Sequence, residues 1–391
     1  MATKYYNNSP TYGIQYDWQA VAKEWQGLHV PAGYYSPLDA ISQGARWMLA
    51  ASVRSVGKTT QVLLLGMILN KMYGTQICYF RSRESEIAQS LSEELFNTIC
   101  SYEGGRYIEY CTNGYYNSVY YHWRKLYYCR RDGDGRIVEK MEAPFMYFLA
   151  CDKWKDYKST LNIPLGDLLI WDECVGDRYD NDFVKYCDIM KTIGRDRLSL
   201  YNFLLCNTIN VTAPIYRELE ISKQITSIRP GYGRMCFSSK NQKIWVDMCD
   251  VILKRQRQAF NDMYMGFNNP KLNAITGEDA GWSFDCVPHI ERYDGKQIVN
   301  RDISISYHGE MLGVDILSSD KLGSFLEVHP VSKRRKILFV LDDVVDHTEV
   351  RGVPRAMYGT LSTFDKRGLI YFNDNLTGHI YHQFMTETPI L

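Results

Sequence analysis

The stretch Ser52-Val53-Arg54-Ser55-Val56-Gly57-Lys58-Thr59-Thr60 restricts the fold of this chain more than any other. It ends in Gly-Lys-Thr, as a phosphate-binding loop does, with Ser52 where the pattern G-x-x-x-x-G-K-[ST] has its first glycine. A short apolar strand, Arg46–Ala51, precedes it. Lys58 to Tyr73 follows, with Val62, Leu63, Leu65, Ile68, Leu69 and Met72 at helical spacing and Gly74 as the stop. Strand, loop and helix in that order gather backbone N–H groups and a helix N-terminus around one point, where an anion is stabilised. Far downstream, Leu168-Leu169-Ile170-Trp171 reads as a buried strand ending in Asp172-Glu173. Acidic pairs after apolar runs are common, but below such a loop this one acquires a meaning. Lys58 would reach the β- and γ-phosphates, Thr59 and Asp172 would hold Mg²⁺, and Glu173 would activate water as general base. Together they imply hydrolysis of a nucleoside triphosphate.

The surrounding pattern is that of an α/β domain. A short helix is expected near Asp17–Trp25, a second strand over Gln76–Phe80, and a second helix over Ser85–Ile99. Ser118–Arg131 is aromatic and basic, Asp132-Gly133-Asp134-Gly135 is a turn, and Arg136–Ala150 returns as strand, so this region reads as a hairpin insertion. Asp182–Ile193 is a helix, and Phe203–Cys206 a buried strand. That strand leads into Asn207-Thr208, where an amide would sense the γ-phosphate; a plain strand cap is the simpler alternative. The expected division is an ATPase domain with a central, mostly parallel sheet over 1–250, a linker over 251–288 containing the basic helix Val251–Phe267, and a small domain over 289–391. In that last domain Asp302–His308, Met311–Leu317, Ser324–Val328, Lys336–Val340 and Leu369–Phe372 read as strands.

Composition limits the partners. The 391 residues carry 45 basic and 45 acidic side chains, so no general cationic coat attracts nucleic acid. Contact with DNA would have to come from local clusters: Arg81 and Arg83; Arg124, Lys125, Arg130 and Arg131; or Lys333-Arg334-Arg335-Lys336. The 11 cysteines are scattered with no Cys-x-x-Cys, which reads as reduced thiols in a cytosolic protein. The start, Met-Ala-Thr-Lys-Tyr-Tyr, has no apolar core of a signal peptide, and no run is long and apolar enough for a bilayer, so no membrane partner is expected.

Several ordered motifs over residues 35–215 carry a resemblance. Tyr35-Ser36-Pro37 precedes the first strand, Arg54 lies in the first half of the loop, Trp154, Lys158, Ser159 and Thr160 lead towards Asp172-Glu173, and Asn207 ends the following strand. In these features the chain resembles the DNA-packaging (encapsidation) ATPases of small short-tailed bacteriophages with protein-primed genomes, relatives of large terminase subunits and HerA–FtsK-type translocases. A serine opening the loop is also seen among large terminases. The resemblance implies an ASCE-type P-loop ATPase that uses ATP and Mg²⁺, with Ser52, Arg54, Ser55, Val56, Gly57, Lys58, Thr59, Thr60 and Asn207 around the nucleotide. It implies a homo-oligomeric ring, a pentamer, at the portal (connector) of a procapsid, pumping double-stranded DNA inward, with a structural RNA as a further partner. The protein would sit in the host cell cytoplasm and transiently at the portal vertex. Active sites would lie between subunits, with Arg195 or Arg197 first, and Lys158 second, as the cation supplied by the neighbour. The C-terminal domain would be RNase H-like, a vestigial nuclease, because Asp315, Asp342, Asp343 and Asp346 show no spacing that declares a two-metal cluster. The rival readings are a terminase with an active nuclease, a nucleotide-binding structural protein of the virion, and a helicase-like translocase.

Overall fold

Six short apolar runs lie side by side as parallel strands, in the order β6 (Met146–Ala150), β2 (Ile77–Arg81), β7 (Leu168–Asp172), β8 (Tyr201–Cys206), β1 (Trp47–Ala51) and β10 (Lys243–Met248). The near-continuous apolar character of the first five is what burial on both faces requires, while β10 alternates. This computed structural model describes residues 14–30, 33–52, 56–87, 93, 96, 106–158, 160–175, 181–195, 197, 200–207, 213–225, 228–229, 231–249, 297–307, 309–341, 350–388 and 390–391. They form two compact units, one whose last described residue is Cys249 and one whose first described strand begins at Gln297. The expected linker over 251–288, with its helix Val251–Phe267, lies outside the described residues.

In the first unit antiparallel strands flank the parallel core. β9 (Tyr232–Phe237) pairs with β10; β4 (Lys125–Arg131) pairs with β6, with β3 (Ser118–His122) and with β5 (Ile137–Lys140). The sheet thus has ten strands. The expected hairpin region is real, but its membership differs. The tight turn is Trp123-Arg124, both at positive φ (49° and 60°); Asp132 to Gly135 makes a second turn into β5; and β6 belongs to the parallel core. Helix Lys58–Tyr73 packs with nearly every side chain of its first three turns buried. At Gly66 a Cβ would come within 2.4 Å of Ile77 and 3.0 Å of Leu168, so glycine lets this helix lie against β2 and β7. The expected helix near Asp17 runs Trp18–Gly27, with Asp17 accepting from the N–H groups of Gln19 and Ala20. Of the helix expected over Ser85–Ile99, Glu84–Glu86 is a 3₁₀ turn, and most of the rest lies outside the described residues.

The order β10-β1-β8-β7-β2 places β8 between the strand that feeds the loop and the strand that ends in the acidic pair. Because these strands are parallel, Ser52, Glu173, Asn207 and Arg81 all emerge on one edge of the sheet. That edge is where open α/β sheets bind ligands.

The second unit is a six-stranded sheet. β11 (Gln297–Tyr307), β12 (Glu310–Ser319) and β13 (Gly323–Pro330) form an antiparallel meander; β14 (Ile337–Val340) runs parallel to β11, β15 (Val350–Arg351) parallel to β14, and β16 (Ile370–Phe372) parallel to β13. The five expected strands are there. Helices Arg355–Lys366 and Asn375–Glu387 were not foreseen, since the region reads as strand-rich from its Val, Ile and Phe content. The core gathers Ile303, Val314, Val328, Phe339, Phe372, Tyr381 and Phe384.

Candidate functional site

The loop between β1 and helix Lys58–Tyr73 is held from both ends. The Ser52 N–H donates to the Cys206 carbonyl (3.3 Å), and the Tyr35 N–H donates to the Val56 carbonyl (3.1 Å). Tyr35 is followed by Ser36, whose hydroxyl accepts from the Asp39 N–H (3.2 Å) and caps the short helix Pro37–Ser42. The Tyr35-Ser36-Pro37 segment therefore acts as a brace under the loop. Gly57 begins the long helix at φ 73°, and a Cβ there would stand 2.7 Å from the Tyr34 ring, so only glycine fits. Val56 is buried and Thr60 continues the first helical turn. Val53, Arg54 and Ser55 lie outside the described residues.

Lys58 is 5% exposed. Its ammonium donates to the Ser52 hydroxyl and to the Asn207 amide oxygen (3.2 Å). Burial lowers its pKa below that of an ordinary lysine. Ser52, the departure from the glycine of the loop pattern, is thus a ligand of the lysine, and Asn207 reaches the same point from β8. Across the edge, the Thr59 hydroxyl donates to Asp172 Oδ1 (3.0 Å), the Tyr79 hydroxyl to Asp172 Oδ2 (2.6 Å), and the Glu173 N–H to Asp172 Oδ1 (3.1 Å). All three donors are neutral. Glu173 itself has φ 53°, uncommon for a non-glycine residue and of the kind found at functional sites. Its carboxylate is paired with Arg81, the last residue of β2. This pair occupies the Glu173 carboxylate, which must leave Arg81 before it can meet a water.

The donor set suits a hard cation next to phosphates. A hydroxyl and a carboxylate oxygen 3.0 Å apart match the demands of Mg²⁺, which takes one or two protein oxygens and completes its shell with substrate phosphates and water. Among the described residues no group of three or more His, Cys, Asp or Glu side chains could hold a metal without such help.

The cations considered for a neighbouring subunit have different fates. Arg197 is committed within its own chain: its guanidinium lies 2.8 Å from the buried Asp167 and donates to the carbonyls of Ile163 (3.2 Å), Pro164 and Ile193 (2.7 Å). Lys158 pairs with Asp188 at 3.2 Å and lies over the Trp154 ring at 4.2 Å. Arg195 follows helix Asp182–Gly194 at φ 46°; its side chain is exposed and makes no hydrogen bond or ion pair among the described residues. The clusters considered for DNA are also largely spent. Arg83 pairs with Asp182 (2.8 Å), Arg124 with Glu84, and Arg130 with Glu139 (2.9 Å); Arg131 donates to the Gly135 carbonyl (2.9 Å); and Arg335 turns inward to Asp315.

Tyr79 was missed by sequence reasoning. Its signal was a phenol inside an otherwise apolar buried strand, two residues before Arg81 and so on the same face.

No protein-family model matches the chain, and no curated protein matches it. Solved structures do, phage motors among them. The chain is similar to "The Phi-28 gp11 DNA packaging Motor" at 16% identity and a TM-score of 0.53, over 92% of this chain and 99% of that one. It is similar to "The bacteriophage Phi-29 viral genome packaging motor assembly" at 15% identity and a TM-score of 0.57, over 91% of this chain and 99% of that one. At such identity the likeness is one of fold, and it extends over nearly the whole length.

Proposed function

We propose that this chain is an ATPase subunit of a phage DNA-packaging motor, which drives double-stranded DNA into a preformed capsid. The observation that carries the reading is the convergence of Lys58, Thr59, Asp172, Glu173 and Asn207 on one sheet edge, in a fold shared with phage packaging motors. β8, inserted between β1 and β7, supports the ASCE-type assignment. Three antiparallel strands followed by parallel β14 and β15 support an RNase H-like C-terminal domain.

The chain's residues divide the work as follows. The loop backbone and Lys58 bind the phosphates, exchanging the bonds Lys58 makes to Ser52 and Asn207 for phosphate oxygens. Thr59 and Asp172 would hold Mg²⁺, which when bound neutralises charge on the phosphates. Glu173, once released from Arg81, takes the proton of the attacking water. Asn207 stands where it can register the γ-phosphate beside Lys58. In a ring of identical subunits the exposed Arg195 serves the nucleotide of the adjacent copy. Portal, double-stranded DNA and a structural RNA are the partners in this reading, a pentamer is the assembly, and the host cytoplasm and portal vertex are the location. Among the described residues no helix is long and apolar enough to cross a membrane.

The test is the ATP turnover of the full chain with and without double-stranded DNA and emptied procapsids. Turnover that rises when both are supplied is expected. A protein that binds nucleotide and never hydrolyses it would instead be a structural component, and strand displacement would make it a helicase-like translocase.

A further inference from the structure

Tyr79 and Arg81 are two apart on β2 and therefore share one face of the sheet. They hold two consecutive residues, Asp172 and Glu173, whose side chains would point to opposite faces if β7 simply continued. The left-handed backbone at Glu173 (φ 53°) breaks that alternation, and both carboxylates meet the same strand. β2 thus works as a template for the acidic pair.

We infer that Tyr79 is a positioning residue for Asp172, setting the carboxylate so that Oδ1 faces Thr59 and the cation. The inference rests on the reading of Asp172 as the Mg²⁺ carboxylate. Its basis is the division of the two oxygens. Oδ2 is taken by the Tyr79 hydroxyl at 2.6 Å, while Oδ1 faces Thr59 Oγ1 at 3.0 Å. With Oδ2 tied, rotation of the carboxylate would break a short hydrogen bond to a charged acceptor. Tyr79 is 3% exposed, and its ring packs edge-on against Phe148 at 5.5 Å, so the hydroxyl has little freedom of its own. A phenol is also the right kind of partner. It orients the carboxylate and leaves its negative charge for the metal, where an arginine would cancel it. Partners that orient a ligating side chain in this way matter nearly as much as the ligand.

Tyr79→Phe keeps the ring and its contact with Phe148 and removes only the hydroxyl. Binding of a fluorescent ADP analogue to the full chain is measured against Mg²⁺ concentration, with turnover measured in parallel. The Mg²⁺ concentration at half-maximal binding should rise roughly 10- to 100-fold in the variant, as for other outer-shell partners of metal ligands. Affinity in EDTA should not change, and turnover should recover at high Mg²⁺. A hydroxyl with a merely structural role would lower the unfolding midpoint and leave the Mg²⁺ midpoint where it is; that result overturns the inference. Tyr79→3-fluorotyrosine, which keeps the hydroxyl, should leave the Mg²⁺ midpoint near that of the wild-type chain, and failure to do so also overturns it. If nucleotide binding by the wild-type chain does not respond to Mg²⁺ at all, the reading of Asp172 fails instead, and the two failures are told apart by the wild-type curve alone.

Discussion

Asp172 in the first unit and Asp315 in the second are both buried carboxylates on central strands, and the fold treats them in opposite ways. Asp172 is hydrogen-bonded by a threonine hydroxyl, a tyrosine hydroxyl and a backbone N–H, all neutral donors. Asp315 lies between Arg301 (2.9 Å), Arg335 and His329 (3.3 Å). Burial works against its charge, but the Arg335 guanidinium and His329 hold it below the usual carboxylate range. A carboxylate already neutralised by the protein has little left to attract Mg²⁺. The same contrast recurs with the two arginines beyond helix Asp182–Gly194: Arg197 is spent on Asp167 and three carbonyls, and the exposed Arg195 side chain has no hydrogen bond or ion pair among the described residues. Groups consumed inside the fold are structural, and groups left with unused charge mark the reactive edge.

The largest effect is expected where this contrast is sharpest, at the arginines. Arg195→Ala should bind ATP and lose turnover by about 10³–10⁵-fold, the range for arginine fingers. Mixed with Glu173→Gln subunits it should regain part of the activity, since an intact Arg195 then faces an intact Glu173 across some interfaces. Mixed rings that assemble and stay inactive would end the trans role. Arg197→Ala should show the opposite phenotype, a loss of stability of about 3–5 kcal/mol from stranding the buried Asp167, seen in urea unfolding.

At the carboxylates, Glu173→Gln should still bind ATP but turn it over about 10²–10⁴-fold more slowly, because the amide is no base. Asp315→Asn should leave turnover unchanged at a temperature where it is folded. Comparable losses in the two variants would erase the distinction between the units. A related check is DNA cleavage. The full chain should not nick supercoiled DNA with Mg²⁺ or Mn²⁺, and nicking that disappears in Asp315→Ala would reveal a working nuclease.

The smallest effect is on pH, and its sign should differ between the units. Burial raises Asp247 on β10 to about 6, with hydrogen bonds from Trp245 and Tyr35 opposing it. Because the folded chain binds this proton more tightly than the unfolded one, the contribution is full below about pH 4 and is lost as pH rises through about 6. It is on the order of 3 kcal/mol, and Asp247→Asn should flatten that part of the stability curve. Asp315 has a lowered pKa, so its contribution is present above about pH 4 and is lost as the pH falls through its depressed folded value. Unfolding followed at probes in each unit would test the two signs.

Much of this was legible in the residues themselves. The loop, its helix Lys58–Tyr73, the strand Leu168–Asp172 and the strands of the second unit follow from apolar periodicity and from turn residues, which act over a few neighbours. Lys58, Thr59, Asp172 and Asn207 were identified from the same local patterns, and the structure brings them together. The two C-terminal helices were missed even though Arg355–Lys366 carries an amphipathic pattern, because its residues are mostly polar and only Leu361 is fully buried. What tertiary structure alone decided is which polar groups are spent. Tyr79 holding Asp172, Arg81 holding Glu173, Arg197 set against the buried Asp167 and Arg335 turned onto Asp315 are all contacts between segments far apart in the chain. A charge in a sequence declares only that it exists; whether it is neutralised or left to act depends on the neighbour that packing brings to it.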